Sequence, residues 1–107
     1  RDIVRDAAAY IDSKYFEELT LIRLAEKYSV DSSYFSRMFN QETGKNLMLY
    51  IAEKRMEKAR EYMEDERINL TEIAFLTGYD DYTYFSRVFK KITGCSPREY
   101  RAGQANS

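Results

Sequence analysis

The sequence predicts an all-α fold of seven helices arranged as two related subdomains, and three observations carry that prediction. One proline and four glycines in 107 residues are too few for a chain of short strands and tight turns. Ala, Leu, Glu, Lys, Arg and Met, residues that favour helix, recur throughout. The chain also repeats itself: Ser33–Tyr50 (SYFSRMFNQETGKNLMLY) matches Thr83–Tyr100 (TYFSRVFKKITGCSPREY) at an offset of 50. Tyr34/Tyr84, Phe35/Phe85, Ser36/Ser86, Arg37/Arg87, Phe39/Phe89, Thr43/Thr93, Gly44/Gly94 and Tyr50/Tyr100 are identical pairs. Upstream, Leu24-Ala25 aligns with Ile73-Ala74 when the second copy is given one extra residue in its turn. The repeated unit is a short helix, a turn and a longer helix.

Periodicity and caps place each element. A first helix is expected over roughly 2–15, with Ile3, Ala7, Tyr10 and Ile11 on one face. Thr20 can cap a short helix at 21–28 whose stripe is Leu21, Leu24, Ala25 and Tyr28. After the turn Ser29-Val30-Asp31, either Asp31 or Ser32 caps the next helix, which runs to Thr43 and stops at Gly44. Asn46 can cap a long helix to about 64, with Met48, Ala52, Arg55, Met56, Ala59 and Met63 along one side. Asn69 with Glu72 opens a helix to Thr77, closed by Gly78. Asp80 or Asp81 caps the following helix, which ends at Thr93 before Gly94. Ser96-Pro97-Arg98-Glu99 combines a serine cap, proline at the first helical position and glutamate three after the cap. The helix it starts is expected to end near Arg101, leaving 102–107 as a frayed tail. The organisation expected is a first subdomain at 1–45, a linker helix at 46–64 and a second subdomain at 65–101.

Composition removes several kinds of function. Hydrophobic residues make up 44% of the chain, enough for a compact core but not a large one. Cys95 is the single cysteine and there is no histidine. An intrachain disulfide is therefore impossible, which suits a reducing cytoplasm. The same absence removes the usual zinc clusters and every histidine-based nucleophile. No enzyme activity, metal or cofactor is expected. No apolar run approaches the roughly 20 residues needed to cross a bilayer, and no signal-peptide pattern opens the chain. The helical pattern begins with the first residues, as expected of a segment cut from a longer protein.

Net charge is only −1, but it is segregated. Residues 33–60 carry six Lys/Arg against three Asp/Glu, and residues 82–101 carry five against one. Residues 61–81 hold seven acids and one basic residue, Arg67. Basic faces on an acidic body fit nucleic-acid contact, but charge alone favours the simpler reading of ordinary solvated helix surface.

Helical spacing then sorts the repeated helices into faces. Phe35, Met38 and Phe39 fall together at i, i+3 and i+4 and are expected to be buried, as are Phe85, Val88, Phe89 and Ile92. The opposite faces present Ser33, Ser36, Arg37 and Asn40 in one copy and Thr83, Ser86, Arg87 and Lys90 in the other. Arginine can engage guanine O6 and N7 bidentately, and hydroxyls can serve bases or phosphates.

The two YFSRxF copies, within LAEKYSVDSSYFSRMFNQETG and IAFLTGYDDYTYFSRVFKKITGCSPREYR, resemble the C-terminal DNA-binding domain of AraC/XylS-type transcription regulators. The resemblance covers about residues 3–101. It implies a homeodomain-like pair of helix-turn-helix units joined by the long helix, with recognition helices at about 32–43 and 81–93 in successive major-groove segments of double-stranded DNA. It maps base contacts onto Ser32, Ser33, Ser36 and Arg37, and onto Asp81, Tyr82, Thr83, Ser86 and Arg87. Phosphate contacts map onto Asn40, Lys45 and Asn46, and onto Lys90, Lys91, Ser96 and Arg98. It further implies a cytoplasmic bacterial regulator, nucleoid-associated when bound and more often an activator than a repressor. RNA polymerase and an N-terminal sensor, dimerisation or receiver domain are the implied partners. The lead-in through Phe39 resembles the version attached to two-component receivers.

Two departures from the family pattern stand out. Ser29 occupies the first turn where the family often has glycine, so strain is expected there. Asn40-Gln41 stands where the second copy has Lys90-Lys91, so phosphate anchoring should be weaker in the first unit. The alternative reading is a helical protein-interaction module of the same fold that does not bind DNA. In that reading the acidic segment 61–81 contacts a polymerase subunit or a sensor domain.

Overall fold

The computed structural model describes residues 2–105, and within them the chain is entirely helix and loop. The helices are α1 (Ile3–Lys14), α2 (Leu21–Lys27), α3 (Ser32–Thr43), α4 (Leu47–Tyr62), α5 (Leu70–Leu76), α6 (Tyr82–Thr93) and α7 (Pro97–Ala105). The chain divides into two compact units, Arg1–Lys54 and Arg55–Ser107, with the division inside α4.

Unit 1 is built on Val4, Ala7 and Ile11 of α1, Leu24 and Ala25 of α2, Phe35 and Phe39 of α3, and Leu47 and Ile51 of α4. Leu19 closes this core from the loop before α2, and Tyr28, Val30, Met38 and Tyr50 pack around it. Phe39 meets the Tyr50 ring edge-on, with centroids 5.2 Å apart. Unit 2 repeats the plan with Met56, Ala59 and Met63 of α4, Ile73 and Ala74 of α5, and Phe85 and Phe89 of α6. Phe89 meets Tyr100 edge-on at 5.6 Å, so the aromatic contact recurs along with the sequence.

The caps fall where short polar side chains offer an acceptor to the first free N–H groups of a helix. Asp2, Thr20, Asp31, Asn69 and Asp81 cap α1, α2, α3, α5 and α6. Asp31 rather than Ser32, and Asp81 rather than Asp80, provides the cap. Asn46 Oδ1 accepts from the Leu49 N–H at 2.8 Å and starts α4. At α7 the box is complete: Ser96 Oγ accepts from Glu99 N–H at 3.0 Å, and Glu99 Oε1 accepts from Ser96 N–H at 2.9 Å.

Several expectations need correction. Residues 102–105 are helical, not frayed: Gly103 costs α7 about 1 kcal/mol relative to alanine but does not adopt the left-handed conformation that would end it. The expected tail at 106–107 lies outside the described residues. Met48 does not belong to the buried stripe of α4 and is 56% exposed, while Leu47 and Ile51 are buried instead. The reason is that α4 serves two cores. Leu47 and Ile51 share one face, and the step from Ile51 to Met56 is neither i+3 nor i+4. Met38, Val88 and Ile92 are half-buried at the rim of their cores, not fully enclosed, and Val4, not expected on the inner face of α1, is buried.

Candidate nucleic-acid interface

Each unit joins two helices through the same turn. The Val30 N–H donates to Ala25 O at 3.0 Å and the Tyr79 N–H to Ala74 O at 2.9 Å, the six-to-one bond that closes a helix on a left-handed residue. That residue is Gly78 at φ 102° in unit 2 and Ser29 at φ 56° in unit 1, the one non-glycine with positive φ among the described residues. The strain expected at Ser29 is therefore present. Gly78 carries a second constraint: a Cβ there would lie 3.1 Å from the Arg55 guanidinium, which itself stands over the Tyr79 ring.

Beyond each turn the following helix is held by its phenylalanines. Phe35 and Phe39 of α3, and Phe85 and Phe89 of α6, are fully buried, so the opposite face of each helix must point outward. From Ser32 to Gln41 the exposed and buried positions of α3 recur in α6; only Glu42, exposed, differs from its counterpart Ile92, half-buried. Ser33, Arg37 and Asn40 are exposed on α3, and Thr83, Arg87 and Lys90 on α6, with Ser36 and Ser86 half-buried beside them. Neither Arg37 nor Arg87 is drawn into a salt bridge among the described residues. Their guanidinium groups therefore remain available for an external acceptor.

The remaining candidates are less free. Ser32 is half-buried at the start of α3. Asp81 Oδ1 is engaged by the Thr83 N–H at 3.0 Å, and Tyr82 packs on the unit 2 core with its ring 5.9 Å from Phe85. Lys45 Nζ lies 2.6 Å from Glu53 Oε1, a surface ion pair that a phosphate can displace at little cost. Asn46 uses its side-chain oxygen as a cap and keeps its amide N–H groups for an outside acceptor. Ser96 accepts from Glu99 N–H and retains its hydroxyl proton. Lys91 and Arg98 are exposed. Exposed Tyr34 and Tyr84 stand beside the polar faces and were not selected by residue type, because aromatic rings are ordinarily assigned to the core.

A family model described as a helix-turn-helix domain matches residues 24–103. The C-terminal domain of AraT, a response regulator from Geobacillus stearothermophilus, superposes with a TM-score of 0.92 at 41% identity, covering 96% of this chain and 86% of that one. The chain belongs to the AraC-type helix-turn-helix DNA-binding family. Among curated members of the AraC-type family it is 39% identical to the uncharacterized regulator YobQ of Bacillus subtilis over 87% of its length. It is 34% identical to the arabinose operon regulatory protein of Salmonella typhimurium over 94%. It spans only 39% and 36% of those two relatives. Among the described residues no helix is long and apolar enough to cross a membrane.

Proposed function

We propose that this domain binds double-stranded DNA sequence-specifically, with α3 and α6 seated in successive major-groove segments, as part of a cytoplasmic bacterial transcription activator. The observation that carries this reading is the duplicated face: Ser33, Ser36, Arg37 and Asn40 recur as Thr83, Ser86, Arg87 and Lys90, each set opposite two buried phenylalanines. Ser32, Asp81 and Tyr82 contribute at the helix starts. Asn40, Lys45, Asn46, Lys90, Lys91, Ser96 and Arg98 hold the flanking phosphates. Two recognition helices reading one face of the duplex should lie about 34 Å apart, one turn of DNA. The rest of the protein, proposed to lie N-terminal, supplies a sensor, dimerisation or receiver domain.

Selecting bound sites from a random DNA pool tests this directly. The recovered sites should hold two conserved blocks one helical turn apart. Arg37→Ala and Arg87→Ala should each weaken binding by about 1–3 kcal/mol and relax preference in one block only. A footprint that leaves one groove segment uncovered on every selected site would sink the two-reader arrangement.

A second reading is favoured by one feature. Phe75 of α5 is 73% exposed with Leu76 beside it, and Glu72 lies one turn earlier on the same helix. An apolar group with an acid one turn away suits contact with RNA polymerase or another protein, and the helical interaction module without DNA binding would use this surface alone. That version predicts no DNA binding at low salt by a chain that is fully folded.

A further inference from the structure

The chain contains ten tyrosines, and among the described residues only Tyr34 and Tyr84 stand largely in solvent, 49% and 57% exposed. They occupy the same position of the repeat, in the first turns of α3 and α6. At about 100° per residue, each lies roughly a quarter-turn around its helix from the line through Ser33 and Arg37, or Thr83 and Arg87. Gln41 and Lys91 follow at i+7 on that same flank.

A helix filling a major groove turns its centre to the base edges and its sides to the phosphate walls, because the groove is little wider than the helix itself. A flank residue with a long rigid side chain and a terminal hydroxyl is suited to the wall, not the floor. We propose that the Tyr34 and Tyr84 hydroxyls donate hydrogen bonds to phosphates bordering the two groove segments and so fix the lateral register of α3 and α6. This rests on the DNA-binding reading above. The rings are positioning groups that anchor the backbone and carry no base information.

The two are not equally prepared. The Tyr84 ring lies 5.9 Å from that of Tyr79, which is buried in the unit 2 core and has Arg55 over its ring at 5.1 Å. That tilted ring contact limits the orientations open to Tyr84 before DNA arrives. Val30 stands in unit 1 where Tyr79 stands in unit 2 and offers no ring to lean on. Tyr84 should therefore contribute more than Tyr34.

The test compares this chain with Tyr34→Phe and Tyr84→Phe on a duplex recovered from the random pool and on an unrelated duplex of equal length. Loss of the Tyr84 hydroxyl should weaken both complexes by the same factor, about three- to tenfold, leaving the ratio between them unchanged. Tyr34→Phe should act in the same way with a smaller factor. A neutral methylphosphonate at the contacted phosphate should erase the difference between Tyr84→Phe and the unsubstituted chain. Thermal melting of both variants should not move, since the lost hydroxyls are exposed. Unchanged affinity in Tyr84→Phe overturns the proposal and leaves the DNA-binding reading intact. A loss confined to one base position overturns it in favour of base contact. Failure of the unsubstituted chain to bind any duplex overturns both readings.

Discussion

At the scale of single residues, the loop between α4 and α5 shows how a short irregular segment is fixed. Asp65 accepts from the Arg67 backbone N–H at 3.0 Å, from its Nε at 2.9 Å and from its Nη2 at 2.9 Å. From the other side, Arg101 of α7 donates to Ile68 O at 2.7 Å and reaches Met63 O and Asp65 O at 3.4 Å. One guanidinium thus serves three carbonyls of the segment that follows α4. These hydrogen bonds from Arg67 hold the Asp65 carboxyl at about 2, below its ordinary 3.8. Because the folded value is the lower one, the stabilisation is complete above pH 3.8 and is lost as pH falls toward 2. The Asp65 carboxyl carbon, followed by NMR, should titrate near pH 2, and Arg67→Ala should return it toward the ordinary value. A midpoint near 3.8 in the unsubstituted chain would mean that the fork does not form in solution. Nothing in the order of these residues announced it, since Arg101 lies far along the chain from the carbonyls it serves.

At the scale of elements, the existence and type of every helix were legible, because starts and stops are written in local chemistry. Serine, aspartate or asparagine opens a helix by offering an acceptor, and glycine closes one by entering the left-handed region. Phase was less legible in α4. One periodic stripe was expected, whereas the helix gives Leu47 and Ile51 to one core and Met56, Ala59 and Met63 to another. The end of α7, expected near Arg101, was placed too early, since the helix continues through Gly103 to Ala105. The two turns permit a direct experiment. They share one hydrogen-bond pattern, but Ser29 adopts positive φ with a Cβ and Gly78 does so without one. A Cβ in that region costs on the order of 1–2 kcal/mol, offset in part by the greater freedom of glycine in the unfolded chain. Ser29→Gly should therefore stabilise the protein by about 0.5–1 kcal/mol in urea unfolding. A loss of stability would show that the Ser29 side chain makes a compensating contact.

At the scale of the whole molecule, the small net charge hides a division of labour. The unit 2 recognition helix ends in Lys90 and Lys91, both exposed, where α3 has Asn40 and Gln41. Each cation that neutralises a DNA phosphate adds about 0.9 to the slope of log affinity against log salt. Lys90→Glu and Lys91→Glu should each weaken binding, flatten that slope and leave the melting temperature nearly unchanged. An unchanged slope would remove these lysines from the interface. The outward face of both recognition helices was legible because buried phenylalanines at i and i+4 fix the rotation of a helix. The availability of each side chain on that face was not. The caps at Asn46 and Asp81 follow from local sequence, but Tyr82 packs against the core and Lys45 has an acidic neighbour. Such prior engagements depend on three-dimensional neighbours that spacing alone does not reveal.

The division of the chain within α4 also bears on how such a protein can be inherited. Two copies of one ancestral unit ordinarily remain exchangeable when a loose connector separates them, since recombination in the connector harms neither fold. Here the seam between Lys54 and Arg55 runs through an unbroken helix. Separating the halves at that point would expose about four carbonyls on one side and four N–H groups on the other. The two halves are therefore free to diverge in sequence but not to part, and selection should act on them as a single heritable module.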